Sequence, residues 1–401
     1  MLSIAEVVQN GMCIGCGLCE SVTEGRVTMS MTDAGGHRPS STDFSEEEET
    51  VLLASCPGNV VRARTDGAET HVDLVWGAHR SMFMAWAGDA DVRFKSATGG
   101  VLTALAQHGV ESGMASFVLH AKADPEAPMR TVWTMSETAA EVLDASGSRY
   151  GPASVLSGMH RALDRGEPFV VVAKPCDLNA VHGLAQVDSR VDELVVARMV
   201  MVCGGTSRLT KSQAVLDELA VHETNVTLFR YRGHGNPGPT RIESSDRVVH
   251  ERSYLDMWAD EGGWDLETRC KFCPDALGEA ADIAAADAWP GGAPTGDDEG
   301  FNATVVRTMA GERLVASAIA AGALVRGEEI SAAQFNDFQP HQVRKKQALA
   351  ARFTGLRDAD VTVLQTEGLR IEELGAALDP TSFDKERSGS ATRAKAGRFS
   401  E

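Results

Sequence analysis

No segment of this 401-residue sequence is apolar for long enough to span a bilayer as a helix. Its longest apolar runs, 194–202 with Arg198 inside and 314–325, fall short of the roughly 20 residues a span needs. Positive charge is scarce too. The 38 Lys and Arg stand against 57 Asp and Glu, and the net charge of −19 argues against a nucleic-acid partner, since phosphate binding needs clustered cations. No internal repeat of fixed period is present. No signal peptide is read ahead of Glu6, so a soluble, reducing, cytoplasmic setting is expected. What the chain does have is 43% apolar residues, enough to bury a sizeable core over two or three domains, and eight cysteines.

The cysteines fall into two groups of four. The first is Cys13-Ile-Gly-Cys16-Gly-Leu-Cys19, completed by Cys56-Pro57. Three thiols separated by two residues each, on a short Gly-containing loop, can take three corners of an iron–sulfur cube, and a fourth before Pro can close it. Zinc knuckles more often use two separated pairs, and no second C-x-x-C-x-x-C run follows, so one [4Fe–4S] cluster is expected within residues 1–66. The second group, Cys176, Cys203, Cys270 and Cys273, is spread more widely. Its spacing alone leaves a second cluster, a zinc site, a redox dithiol and buried free thiols all open.

Ser45 followed by four glutamates reads as a helix start, with Ser45 as N-cap and Glu48 as its capping-box partner. Beyond residue 66, strand-like and helix-like segments alternate. Ser96-Ala-Thr-Gly-Gly100 opens a helix over 101–108 and could present free N–H groups to a phosphate, although such caps commonly hold only their own helix. Segments 168–173 and 194–202 read as buried strands. They end at Lys174-Pro-Cys176-Asp177 and Cys203-Gly-Gly205, at the carboxyl ends where open α/β sheets keep their chemistry. The expected class is α/β, in a mixed α+β form, with a ferredoxin-like N-terminal segment followed by a mixed-sheet domain under helical cover. A helix is expected over 341–356 and a disordered tail beyond 385.

Taken in order, Cys13-x-x-Cys16-x-x-Cys19 with Cys56-Pro57, Thr98-Gly-Gly100, Gly147-Ser-Arg-Tyr150, Lys174-Pro-Cys176, Cys203-Gly, Cys270-x-x-Cys273, Ala281-Asp-Ile and Val306-Arg307 span nearly residues 1–310. The ordered set resembles the family of beta subunits of coenzyme F-420 hydrogenases and dehydrogenases. That resemblance implies an iron–sulfur flavoprotein oxidoreductase holding FAD. Members with both cysteine groups, pigment reductases among them, are ferredoxin-dependent and carry two [4Fe–4S] clusters. On this likeness Cys176, Cys203, Cys270 and Cys273 become ligands of the second cluster. Thr98, Gly99 and Gly100 become candidate FAD contacts, with Ser148, Tyr150 and Lys174 nearby and Asn302 and Arg307 as further candidates.

The likeness also divides the chain. It makes 67–165 the N-terminal part of the flavin-binding region, 166–335 the catalytic region with the second cluster, and 336–401 a terminal helix and tail. The implied activity passes electrons from ferredoxin or another one-electron carrier through the clusters to FAD, and on to a small organic substrate. Lys174 would stabilise the anionic reduced ring. Two other readings stand beside it. One is the deazaflavin-oxidising subunit of a hydrogenase or dehydrogenase complex; the other is an electron-transfer adaptor with clusters and no flavin. The basic residues Arg344, Lys345 and Lys346 are a candidate dock for an acidic ferredoxin.

Overall fold

The run Phe169-Val-Val-Val-Ala173 has no polar face to offer water, so it belongs inside a sheet covered on both sides. The computed structural model, which describes residues 2–258, 265–296 and 298–397, places it there. Eight strands form the sheet: β1 (Ser81–Ala87), β2 (Phe117–Ala123), β3 (Thr131–Ser136), β4 (Phe169–Ala173), β5 (Val195–Met201), β6 (Ile283–Asp287), β7 (Asn302–Val306) and β8 (Leu324–Glu329). Their order across the sheet is β8-β1-β7-β6-β5-β4-β2-β3. The central strands β2, β4, β5 and β6 run parallel, while β7, β1 and β8 on one side and β3 on the other pair antiparallel.

Alternate residues along these strands feed two cores. Phe117, Leu119, Phe169 and Val171 face one, with Leu156, Met159, Leu178 and Val181. Val118, Val170, Ala197 and Met199 face the other, beneath Val101 and Leu105 of α1 (Val101–Glu111) and Leu314 and Val315 of the helix Met309–Ala320. The mixed α/β architecture expected from the sequence is therefore the one observed. The antiparallel strands Val226–Arg230, Thr240–Ser244 and Val249–Arg252 form a separate small sheet over Phe229, Tyr231, Ile242 and Met257.

The two ends of the chain share a core. Leu2, Val7, Met12 and Val61 pack against Leu349, Phe353, Leu356 and Ile371, and strand Gln365–Glu367 adds in parallel to Val60–Arg62. Residues 1–66 and 336–401 thus pack together. The tail is a correction, because Pro380–Lys395 is a helix rather than disordered. It lies against the helix Leu349–Arg357, where Gly355 has no Cβ to collide with the Arg387 carbonyl. Phe383 reaches the shared core, and Glu386 and Arg387 pair with Arg352 and Asp358. The helix expected over 341–356 is broken at Ala348 into Pro340–Gln347 and Leu349–Arg357.

A buried ionic junction fastens this C-terminal region to the sheet domain. Glu279, with its side chain 2% exposed, accepts from both Lys346 and Arg370, and Lys346 Nζ also donates to the Val75 carbonyl at 2.5 Å. Removing one member leaves a buried charge without compensation. Lys346→Ala should therefore lower stability by about 3–5 kcal/mol, read as a fall in the urea midpoint. Two histidines add a pH dependence. Burial, reinforced by Lys122, holds His120 down at about 4; burial, reinforced by Arg198 and Arg64, does the same for His182. Folded protein keeps both neutral where the unfolded chain already binds protons near the ordinary histidine value of about 6.5, so stability should fall as pH drops from there toward 4. Urea midpoints measured between pH 7 and 4.5 check this; a rising midpoint on acidification contradicts it.

Candidate functional site

Cys13, Cys16 and Cys19 sit on a loop whose path depends on two glycines. Gly15 and Gly17 adopt φ of +65° and +93°, and a Cβ on either would strike a neighbour, the His37 carbonyl at 2.7 Å and the Ser157 hydroxyl at 2.5 Å. Cys56 ends the helix Glu46–Ser55, which starts with the Ser45/Glu48 capping box read from the sequence. The four thiols line one small apolar hollow with Ile4, Val7, Ile14 and Pro57. Burial, with Cys13 beside it, pushes the Cys56 thiol up to about 12. Thiols this dry ionise only beside a strong cationic centre, and four of them round one hollow fit an iron–sulfur cluster in donor type and number.

The second group assembles from two strand ends and a short helix. Lys174 caps α2 (Pro175–Leu184), which puts Cys176 in its first turn just past β4, while Cys203 follows β5. Cys270 and Cys273 come from the short helix Thr268–Lys271 and the residues after it. Each lies in the electrostatic reach of others: Cys176 feels Cys203 and Cys273, Cys203 feels Cys270 and Cys273. The Thr206 N–H donates to Cys270 Sγ at 3.3 Å. Among the described residues, no three Cys, His, Asp or Glu converge tightly enough for a single ion.

The second group opens on a cavity of about 790 Å³, bordered by Cys203 and Cys270. It lies at the carboxyl ends of β4, β5 and β6, reached through Lys174, Met201 and Asp287, and at the N-terminus of α1. Of the expected flavin contacts, Thr98, Gly100, Ser148, Tyr150, Lys174 and Asn302 border it. Gly99 and Arg307 do not. Gly99 is packed between Asn302 and Ala85, and Arg307, 1% exposed, brackets the Trp76, Ala78 and Leu277 carbonyls beneath the sheet. Neither hydroxyl of the 96–100 stretch caps the helix: Gly100 occupies that position, and Asn302 Oδ1 takes the Val101 N–H at 3.2 Å.

Sequence reasoning missed a buried charge at the border of this cavity. Arg232, 3% exposed, donates to both oxygens of Asp287 at 3.0 and 3.1 Å, to Thr98 Oγ1 at 3.1 Å and to the Tyr150 hydroxyl at 3.3 Å. Tyr254 and Trp289 stack over its guanidinium at 5.1 and 4.9 Å, and Tyr150 lies 4.3 Å from Trp258. No local motif marks Arg232, since its partners are far away in sequence. Two buried donors bordering the cavity, Ser96 Oγ and Trp289 Nε1, have no hydrogen-bond partner among the described residues. Orphaned donors on residues that border a cavity of this size suit a large ligand rich in acceptors, which FAD is.

Lys174 sits where the two thiol groups meet. Its Nζ donates to Asp177 Oδ2 at 2.7 Å and to the Ala153 carbonyl at 2.9 Å. Burial alone would push this ammonium down, but Asp177 and Cys176 beside it hold it above its ordinary value. The basic dock expected at Arg344, Lys345 and Lys346 is only partly available. Lys346 is buried on Glu279, and Lys345 donates to the Gly204 carbonyl at 2.8 Å, at the border of the cavity.

Comparisons with known proteins agree with this architecture. Family profiles described as "Coenzyme F420 hydrogenase/dehydrogenase, beta subunit", N-terminal and C-terminal, match residues 82–159 and 166–331. Over 321 residues the chain is 24% identical to a subunit of the F(420)H(2) dehydrogenase of Methanosarcina mazei, covering 77% of this chain and 83% of that protein. A chain of the solved F420-reducing [NiFe] hydrogenase complex from Methanosarcina barkeri shares the fold, with a TM-score of 0.57 at 18% identity over 73% of this chain and 98% of that one. The two profiles together cover more than half of the sequence, and the chain belongs to the family of coenzyme F420 hydrogenase/dehydrogenase beta subunits, which are oxidoreductases.

Proposed function

We propose that this protein is an iron–sulfur flavoprotein that exchanges electrons between a one-electron carrier of the ferredoxin type and a small organic substrate. The observation that carries the reading is the gathering of all eight cysteines into two groups of four, the second bordering the large cavity. Cys13, Cys16, Cys19 and Cys56 would hold one [4Fe–4S] cluster, and Cys176, Cys203, Cys270 and Cys273 a second. FAD would occupy the cavity. The clusters would supply single electrons and the flavin their conversion to a pair.

The chain's own residues have separable tasks. Ser96 and Trp289 offer the unused donors, and Asn302 fixes the start of α1. Arg232 and Asp287 hold Thr98 and Tyr150 in place and keep a buried cation at the cavity edge. The Tyr150, Trp258, Tyr254 and Trp289 wall excludes water and suits a flat ring. Lys174 has its ammonium committed to Asp177 and Ala153, which favours a role toward the thiol groups over one as the partner of a reduced flavin ring.

As to substrate, the relatives named for F420 favour a deazaflavin and membership of a larger complex. Ferredoxin-driven reduction of another organic molecule is the second reading. The N-terminal thiol group favours it, because it gives the chain its own point of electron entry.

Protein purified without oxygen should contain about eight iron and one FAD per chain. Cys56→Ser and Cys203→Ser should each lose about half of the iron, from different groups. Oxidation of reduced coenzyme F420 with a dye acceptor, set against substrate reduction by reduced ferredoxin, separates the two substrate readings. About four iron and no flavin would leave only an electron-transfer adaptor.

A further inference from the structure

The seam between the two thiol groups contains three buried charged side chains, and each belongs by sequence to the second group. Lys174 and Asp177 flank Cys176; Arg269 precedes Cys270. Lys174 and Arg269 nevertheless bond toward the first group, and Asp177 is paired with Lys174. Arg269, 1% exposed, donates to the carbonyl of Pro57, next to Cys56, at 3.0 Å. Lys174 donates to the carbonyl of Ala153, where a short strap begins that grips the first thiol loop. In that strap the Ser154 hydroxyl donates to the Gly15 carbonyl at 3.0 Å, and the Leu156 N–H donates to the Cys16 carbonyl at 2.9 Å. The strap is tight, because Gly17 leaves no room for a Cβ against Ser157.

The charges at this seam do not cancel. Two cations face one carboxylate, and water is excluded, with Asp177 0% exposed. Asp177 Oδ1 and Arg269 Nε have no hydrogen-bond partner among the described residues, so neither charge is fully neutralised by local bonding. Asp177 acts on both Cys16 and Cys176, Lys174 is coupled to both of these, and Arg269 acts on Cys56. In so dry a place a unit charge is felt over longer distances than at the surface.

We propose that Lys174, Asp177 and Arg269 form a shared electrostatic control for both thiol-held centres, so that one change of charge at the seam moves both reduction potentials in the same direction. The inference rests on the two-cluster reading above. Potentials of iron–sulfur centres follow local net charge, hydrogen bonding and exposure, and the seam supplies the first of these to both.

The test is an anaerobic redox titration of the full chain followed by electron paramagnetic resonance, with iron per chain measured on every sample. Lys174→Met and Arg269→Met should shift both centres to lower potential, and Asp177→Asn should shift both to higher. Lys174→Arg, which keeps the charge, should leave both near the unmodified values. A shift confined to one centre, or no shift in variants that keep about eight iron, overturns the inference and leaves the two-cluster reading standing. If either Met variant loses iron, the direction of the Asp177→Asn shift decides. About four iron in the unmodified protein overturns the two-cluster reading, and this inference with it.

Discussion

The cost of keeping ionic groups dry organises the interior of this protein. A buried charge without a partner is expensive, and several here are tied to an opposite charge or to a row of carbonyls. Glu279 takes Lys346 and Arg370, Arg232 grips Asp287 with two nitrogens, and Arg307 satisfies itself on three backbone oxygens. The partners come from distant stretches of chain, 55 residues apart for Arg232 and Asp287 and 91 for Arg370 and Glu279. Each pair therefore admits one arrangement of segments. A slipped packing would strand a charge.

The same constraint accounts for what could and could not be read from the sequence. The buried strand at 169–173, the Ser45/Glu48 cap and the first cysteine loop are local patterns, and local patterns carry their own evidence. The Arg232–Asp287 pair is not local, and neither residue sits in a motif. Arg307 was misplaced for the opposite reason: it lies in a recognisable Val-Arg step, yet the fold uses it as a bracket beneath the sheet. The helix Pro380–Lys395 escaped notice because its composition is polar almost throughout, with only Ser390 buried. It is held by pairing and by close approach at Gly355, and neither leaves a hydrophobic period behind.

Aromatic residues show how a scarce resource is placed. The chain has only three tyrosines, Tyr150, Tyr231 and Tyr254. All three lie within one connected group with Trp258 and Trp289, around Arg232. Large rings with few rotatable bonds lose little freedom when they are ordered, so a wall built from them stays in shape without a ligand to hold it. Another part of the cavity border, at Cys203, Gly204 and Gly205, is built from small residues, next to the second thiol group.

The parallel pairing of Val60–Arg62 with Gln365–Glu367 has a consequence for how the protein is made. Arg62 and Glu367, joined at 2.8 Å, are 305 residues apart in the chain. At about 5–20 residues per second, a ribosome that has finished the first of these strands needs about 15–60 s more before the second exists. Through that interval the N-terminal segment lacks the part of its core that Leu349, Phe353, Leu356 and Ile371 supply. The order of synthesis thus delivers the grip on the first thiol loop, from Ser154 and Leu156, well before the core that joins the two ends of the chain.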